Sequence, residues 1–317
     1  MKTNSNTTQS LKALFYLGAC LLAFSLAFAP AIHAQSLEPR LYSNIPTQLN
    51  FLVLGYGYSQ GDVLVDPTLP IKDLNARIHM PIFAYVRSIN LWGKSSKLDI
   101  LIPYAFLSGS GKLEGEDEAR RRSISGFGDP MVRLTVNLLG APALSLKEFM
   151  SFQQKTILGL SFQVSAPLGQ YEPSRLGNIG TNRWMFKPEV GISHATGRWI
   201  LEASTAMNFY TTNNNFWGGS VRKQSSILSI QGHAVYSFPS GTWAALDLTY
   251  YNGGRTTVDG IKRNDLQTNW RIGATLTLPI NRRHSIKLYG STGLSTRTGS
   301  KFNIFGAVWQ YRWGGGI

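Results

Sequence analysis

The chain has 317 residues, enough for one large domain or two ordinary ones, yet only 15% of them are charged, 12% are aromatic and the mean hydropathy is −0.09. Soluble bundles and helical membrane proteins both fit that balance poorly, whereas strands that alternate apolar and polar residues average to it. The formal charge of +14 is compatible with nucleic acid, but the chain carries an export signal, so anionic lipid head groups or an anionic solute are the expected partners.

In chain order, Lys2 and Lys12 precede the apolar run "ALFYLGACLLAFSLAFAPAIHA", which ends in small residues at Ala34. This is a secretory leader over 1–34, to be cleaved before Gln35, and its loss takes two lysines and leaves +12 of the +14. Cys20 in "LGAC" resembles a lipoprotein cleavage box, but most of the apolar run follows it rather than precedes it. Cleavage at Ala34 leaves a mature chain without cysteine, hence without disulfides or a thiol nucleophile. Residues 35–46 are expected to be a short periplasmic segment, too brief for a plug domain, and 47–317 a single membrane domain.

Past residue 46 no apolar run reaches the ~18 residues of a spanning helix. Period two recurs instead, in twelve segments at about 47–58, 73–88, 96–108, 127–138, 155–167, 184–194, 198–210, 226–238, 242–252, 266–278, 284–295 and 302–313. Each is near the ~10 residues of a tilted strand that crosses a bilayer. The fold expected is all-β: an antiparallel up-and-down transmembrane barrel of about twelve strands in the bacterial outer membrane.

The fourth segment shows the pattern well. Val132, Leu134, Val136 and Leu138 suit lipid, while Asp129, Arg133, Thr135 and Asn137 suit a watery lumen. The reverse phase would put Arg133 in hydrocarbon, at about 2–4 kcal/mol near the midplane. In "NFLVLGYGY" both faces are apolar, and inside cannot be told from outside. A soluble β-sandwich also alternates, but it has no need of aromatics at its strand ends. Here Trp184, Trp199, Phe209, Tyr236, Phe238, Trp243, Tyr250, Trp309, Tyr311 and Trp313 cluster there, as interfacial girdles do.

Connections alternate between short ("NLWGKSS", "ATGR", "PSG", "PINRR") and long (61–69, 109–125, 168–183, 211–224, 253–265), the pattern of periplasmic turns and outer loops. The connection 140–154 breaks the rule and is expected to carry a brief amphipathic helix at the inner rim. In the outer loop 114–123, acids precede Arg120, Arg121 and Arg122. It reads as a solvated loop, or as a contact for lipopolysaccharide phosphates.

The phase places Arg77, Arg87, Arg133, Lys187, Arg271, Lys287 and Arg312 in the lumen, with Asp99, Asp129, Glu189, Glu202 and Asp247. They form either ion pairs that brace a filled barrel or a mildly cationic conduit. Tyr171, Arg175, Arg183 and Arg255 are candidates for a solute mouth, where stacking and anion attraction combine. "GYGYSQG" is one residue too long for a dinucleotide fingerprint, and "SGSGKLEG" lacks the first glycine of a phosphate loop. The scattered histidines have no metal-ligand spacing, so no cofactor is expected. A lipid hydrolase needs a serine within hydrogen-bond reach of a histidine. Ser229 and His233 share one strand face but lie over roughly 13 Å apart at strand rise.

Four stretches, "SGFGDP…NLLGAPAL", "APLGQYEPSRLGNIGTNRWMFKPEVGIS", "YYNGGRTTVDG" and "STRTGSKFN", stand in the order found in one family. From about residue 45 to the end, the chain resembles the outer-membrane family named for the "MetA-pathway of phenol degradation", described as transporters. The resemblance implies a barrel that passes small solutes, aromatic or hydrophobic ones among them, and not an enzyme. It implies lipid, lipopolysaccharide and the barrel insertion machinery as partners, and no nucleic acid. An outer-membrane lipid hydrolase and a structural or adhesive barrel with a filled lumen are the alternatives. Barrels usually end on an aromatic residue; here "GGGI" follows Trp313.

Overall fold

The computed structural model describes residues 38–61, 71–113, 118–175, 177–298 and 302–317; the leader expected at 1–34 lies outside them. Its strands are β1 (Leu49–Gly61), β2 (Ile71–Leu91), β3 (Lys94–Leu113), β4 (Ala119–Phe127), β5 (Met131–Leu139), β6 (Thr156–Ser165), β7 (Met185–Thr196), β8 (Trp199–Tyr210), β9 (Asn213–Phe216), β10 (Ser220–Gln224), β11 (Ile227–Ser237), β12 (Trp243–Gly253), β13 (Thr256–Val258), β14 (Ile261–Lys262), β15 (Gln267–Pro279), β16 (His284–Thr296) and β17 (Ile304–Gly314). A short helix, α1 (Leu146–Phe149), lies in the connection after β5.

Thirteen of these strands form one antiparallel sheet in the order β2-β1-β17-β16-β15-β12-β11-β8-β7-β6-β5-β3-β4, and pairing of β2 with β3 closes it. Both β4 and β5 pair with β3: β5 against Ser96–Leu101, β4 against Tyr104–Lys112. They are the two halves of one wall position, so the barrel has twelve. The segment expected as a continuous strand over 127–138 is broken at Gly128-Asp129-Pro130, where Pro130 has no N–H to give a ladder. Below the break β5 pairs with β6. Above it, the free edge of β4 meets the loop 166–184 instead, through Gln170 N–H donating to the Phe127 carbonyl at 2.8 Å.

The alternation sorts lipid from lumen. Val132, Leu134 and Leu138 are exposed while Thr135 and Asn137 between them are buried. The same holds for Leu160 and Phe162, Val190 and Ile192, Leu246 and Leu248, and Trp270 and Ile272. A contiguous apolar exterior of this extent is not stable in water, so hydrocarbon is its solvent. Ring contacts join the girdles: Trp309, Tyr311 and Trp313 stack in sequence at the inner end of β17, and Trp199, Tyr236 and Phe238 pack edge-on at the inner end of β8 and β11. Trp184 with Phe186, and Tyr250 with Trp270, mark the outer end. Trp243 departs from the expected girdle: it shares the inward phase of Ala245 and Asp247 and lies under Arg40.

Inner turns are short, including the two-residue Trp92-Gly93 turn with both residues at positive φ. α1 is the brief helix expected at 140–154, closed by a capping box in which Ser145 and Glu148 satisfy each other's backbone. The outer connections hold more structure than their loop-like composition predicts. β9, β10, β13 and β14 form a separate four-stranded sheet over the mouth. The expected loop 114–123 is strand from Ala119, with Arg121 exposed and Arg122 turned toward the loop 166–184. At the other end, Gly314, Gly315 and Gly316 all have positive φ, and a side chain at Gly314 would meet the Gln48 carbonyl at 2.6 Å. The glycine tail thus curls beneath the segment that precedes β1.

Candidate functional site

The barrel interior has two unlike walls. β5 to β16 present Arg133, Gln163, Lys187, Glu189, Glu202, Gln231, His233, Asp247, Thr249, Asn269, Arg271 and Thr275, nearly all buried. Over most of their height β1 to β4 and β17 present Ile78, Ile82, Ala84, Ala105, Leu107, Ile124, Ile304 and Val308, with Lys97, Asp99, Gln310 and Arg312 in the same phase toward the inner end. The outward neighbours on these strands, Leu54, Tyr56, Phe83 and Phe106, are among the exposed apolar residues, which fixes the phase. Ile78, Ala105 and Leu107 form an apolar cluster with Ile179 and Phe302 from the outer loops. Gly55, Ile82 and Val308 meet on the same inner surface, within 3.4 Å of the position a Gly55 side chain would take.

This explains why the first strands resist a phase assignment from sequence: one face meets lipid and the other an apolar lumen. It also corrects two expected lumen residues. Arg77 and Arg87 face outward and are exposed, and Arg87 pairs with Asn50 on the outer surface. They are ten residues apart with Phe83 between them, about 33 Å along a strand and about 25 Å along the membrane normal after tilt. Each therefore lies at one margin of the hydrocarbon layer, where a long cationic side chain reaches the head groups.

Residues 38–46, which belong to the segment expected to be periplasmic, fold together with 47–48 into the inner half of the barrel. Tyr42 is buried and donates its hydroxyl to Glu189 at 3.0 Å, and Glu189 also pairs with Lys187 at 3.0 Å. The Tyr42 ring lies flat on Gly159 and Gly191, which face each other across β6 and β7; a Cβ on either would come within 2.2 Å of a ring carbon. The Arg40 N–H donates to Glu202, whose other oxygen accepts from Ser193 at 2.8 Å. Arg133 pairs with Asp99 at 2.6 Å and with Glu38 of the segment. Lys97 donates to the Leu41 carbonyl. The segment thus ties β3, β5, β7 and β8 together across the lumen. Twelve or so residues suffice because the wall supplies the pairing partners.

His233 and Asp247 are buried and 2.6 Å apart, and Thr275 donates to the second Asp247 oxygen at 3.1 Å. Ser229 pairs with Tyr251 further along β11, and its buried hydroxyl makes no hydrogen bond. The nucleophile–base contact that a hydrolase requires is not made by this pair. Among the described residues, no three His, Cys, Asp or Glu side chains converge on a possible metal position.

At the outer end, Asp129 leaves the break between β4 and β5 and pins the loop 166–184. It accepts from Gly169 N–H at 2.9 Å, Thr181 N–H at 2.9 Å and the Thr181 hydroxyl at 2.6 Å. The four expected mouth residues do not converge. Arg183 is buried with its guanidinium 4.4 Å from the Tyr210 ring centroid, and the Tyr171 hydroxyl accepts from Asn213 at 3.0 Å. Arg175 is exposed against Glu172, and Arg255 is exposed on the far loop. Lys287 has the inward phase of Ser291, Arg271 donates to Ser291 and the Phe302 carbonyl, and Arg312 donates to the Arg282 carbonyl at the inner rim.

The fold is similar to the "COG4313 outer membrane channel" of Pseudomonas putida F1, with a TM-score of 0.74 at 19% identity over 88% of this chain and 100% of that one. Two looser likenesses carry no argument here. One is the transport unit of the Escherichia coli autotransporter AIDA-I, with a TM-score of 0.49 at 12% identity over 94% and 97% of the two chains. The other is the CymD monoaromatic hydrocarbon channel, with 0.41 at 7% identity over 85% and 89%. No curated protein is detectably similar in sequence. A family profile described as "Putative MetA-pathway of phenol degradation" matches residues 56–311. With an outer-membrane barrel of twelve wall positions beneath it, the chain belongs to that MetA-pathway family.

Proposed function

We propose that the barrel is an outer-membrane facilitator for small apolar solutes, aromatic ones among them. The apolar inner wall of β1 to β4 and β17 carries this reading. A conduit for ions or sugars has no use for Ile78, Ile82, Leu107 and Val308 on its inner face, whereas a phenol-sized solute is transferred onto the part of that face left partly exposed, at Ile82 and Val308, at about 25 cal/mol per Å² of apolar area. The opposing polar wall keeps the bore wetted and gives a hydroxyl or carboxylate on the solute its hydrogen bonds. The family name points to the same solute class. Around the barrel we infer outer-membrane lipid at the belt, lipopolysaccharide at the outer rim, and insertion machinery that reads the aromatic alternation of β17.

The test is solute flux into sealed proteoliposomes. Measured as the increase over protein-free vesicles, entry of phenol-sized aromatics should be accelerated more than entry of small sugars, and an equal or smaller increase for the aromatics would overturn the assignment. A second reading, a braced barrel with no flux, is favoured by the segment 38–48 lodged in the bore. Proteoliposomes that admit no solute faster than protein-free vesicles do, together with a planar bilayer that shows no conductance steps, would establish it instead.

A further inference from the structure

On the outward surface of β2, β3 and β4 the residue type changes abruptly above the outer girdle. The girdle there consists of Tyr56 and His79, 2.5 Å apart, and of Tyr104 packed against Phe106 and Phe127. One register row higher, Arg77 pairs with Ser108 and Ser108 with Ser123; the next row sets Ser110 beside Arg121. Lys112 follows on the same face of β3. Arg77 and Arg121 are exposed, and among the described residues neither they nor Lys112 have a carboxylate within ion-pair distance. By contrast, Arg133 and Lys187 inside the barrel pair with carboxylates, and Lys97 donates to the Leu41 carbonyl.

Two strands and two residues separate Arg77 from Arg121, so their Cα atoms are about 12 Å apart. Two extended arginines reach a common point across that gap, over a floor of serine hydroxyls. Guanidinium forks above hydroxyl donors match a phosphate in charge and in hydrogen-bonding direction. The height is that of the head-group layer, immediately above the aromatics. On this side of an outer membrane the lipid bears phosphorylated sugars.

We propose that this face is a binding site for a phosphate of lipopolysaccharide, held by Arg77 and Arg121 with Ser108, Ser110 and Ser123. The proposal rests on the membrane orientation and is independent of which solute passes through the bore. Its test is native mass spectrometry of the full chain in detergent, titrated with diphosphorylated lipid A. Arg77→Gln with Arg121→Gln should weaken lipid A binding at least about fivefold, the loss of charge-assisted hydrogen bonds worth about 1 kcal/mol. Replacing both with lysine should restore part of it. Chemically dephosphorylated lipid A should bind the unaltered protein no better than intact lipid A binds the double glutamine variant. Heat-modifiable gel mobility and single-channel conductance should be unchanged, which separates this site from folding and from the solute pathway. Lipid A binding to the double variant within about twofold of the unaltered chain overturns the site. Displacement of lipid A by inorganic phosphate at equal phosphate concentration overturns its lipid identity.

Discussion

Tyr42 shows how one side chain can set the state of the bore. Its ring has room only because Gly159 and Gly191 lack a Cβ. Gly191→Ala should therefore unseat the segment as effectively as Tyr42→Ala, although it adds atoms rather than removing them. Planar-bilayer recordings of both variants should show larger conductance steps than the unaltered barrel. Asp129 does a similar task at the outer end, where its carboxylate accepts three hydrogen bonds. Asp129→Asn keeps the shape but weakens the charge-assisted bonds, at about 1–3 kcal/mol in the order of the loop. Faster cleavage within 166–184 by an added protease would report it. In that same loop, the Ser174 hydroxyl, aided by Arg175 and Arg122, holds the Glu172 carboxyl below the ordinary carboxylate range. A depressed pKa means that its contribution to loop order is present above the ordinary carboxylate pKa and fades as pH falls through the lowered one. Amide protection at 172–175, corrected for the intrinsic pH dependence of exchange, should fall on that acid side and stay flat from neutral upward.

Among the elements, the polar-walled strands were the legible ones. At Leu158 to Ala166, or at Trp270 to Leu278, one face is apolar and the other polar, so alternation alone gives phase. β1 and β2 gave no phase because their inner face is apolar too, and Arg77 and Arg87 were misplaced for that reason. The break at 128–130 was hidden because the alternation runs on through it from Asp129, and the small sheet of β9, β10, β13 and β14 because its short strands lie within stretches that read as loop. Neighbouring residues of β2 separate the two apolar faces experimentally. Ile82→Asn, on the inner face, should slow aromatic flux and leave heat-modifiable mobility intact. Phe83→Arg, on the lipid face near mid-belt, should cost about 2–4 kcal/mol of barrel stability, read from urea unfolding in lipid vesicles.

The whole molecule is a closed wall with an internal crosspiece. Residues 38–48 bond to β3, β5, β7 and β8, elements distributed over much of the chain, and end against the glycine tail. From sequence the segment is too short for a plug domain, a reading that weighs length without the partners waiting on the wall. Removal of 38–46 should leave a barrel that still migrates as compact before boiling, with conductance raised several-fold. A deletion variant with unchanged conductance would mean that the bore is closed elsewhere.

That crosspiece also imposes a chronology on biogenesis. Its seat spans β3 to β8, Trp243 of β12 and the Gly314 end of β17, so a stretch that precedes every strand in the chain is the last to come to rest. Refolding into vesicles should then show two stages: closure of the cylinder, followed by a slower quench of Trp243 as the Arg40 guanidinium arrives 5.5 Å from its ring. Simultaneous stages would mean that the stopper threads in while the cylinder is still open.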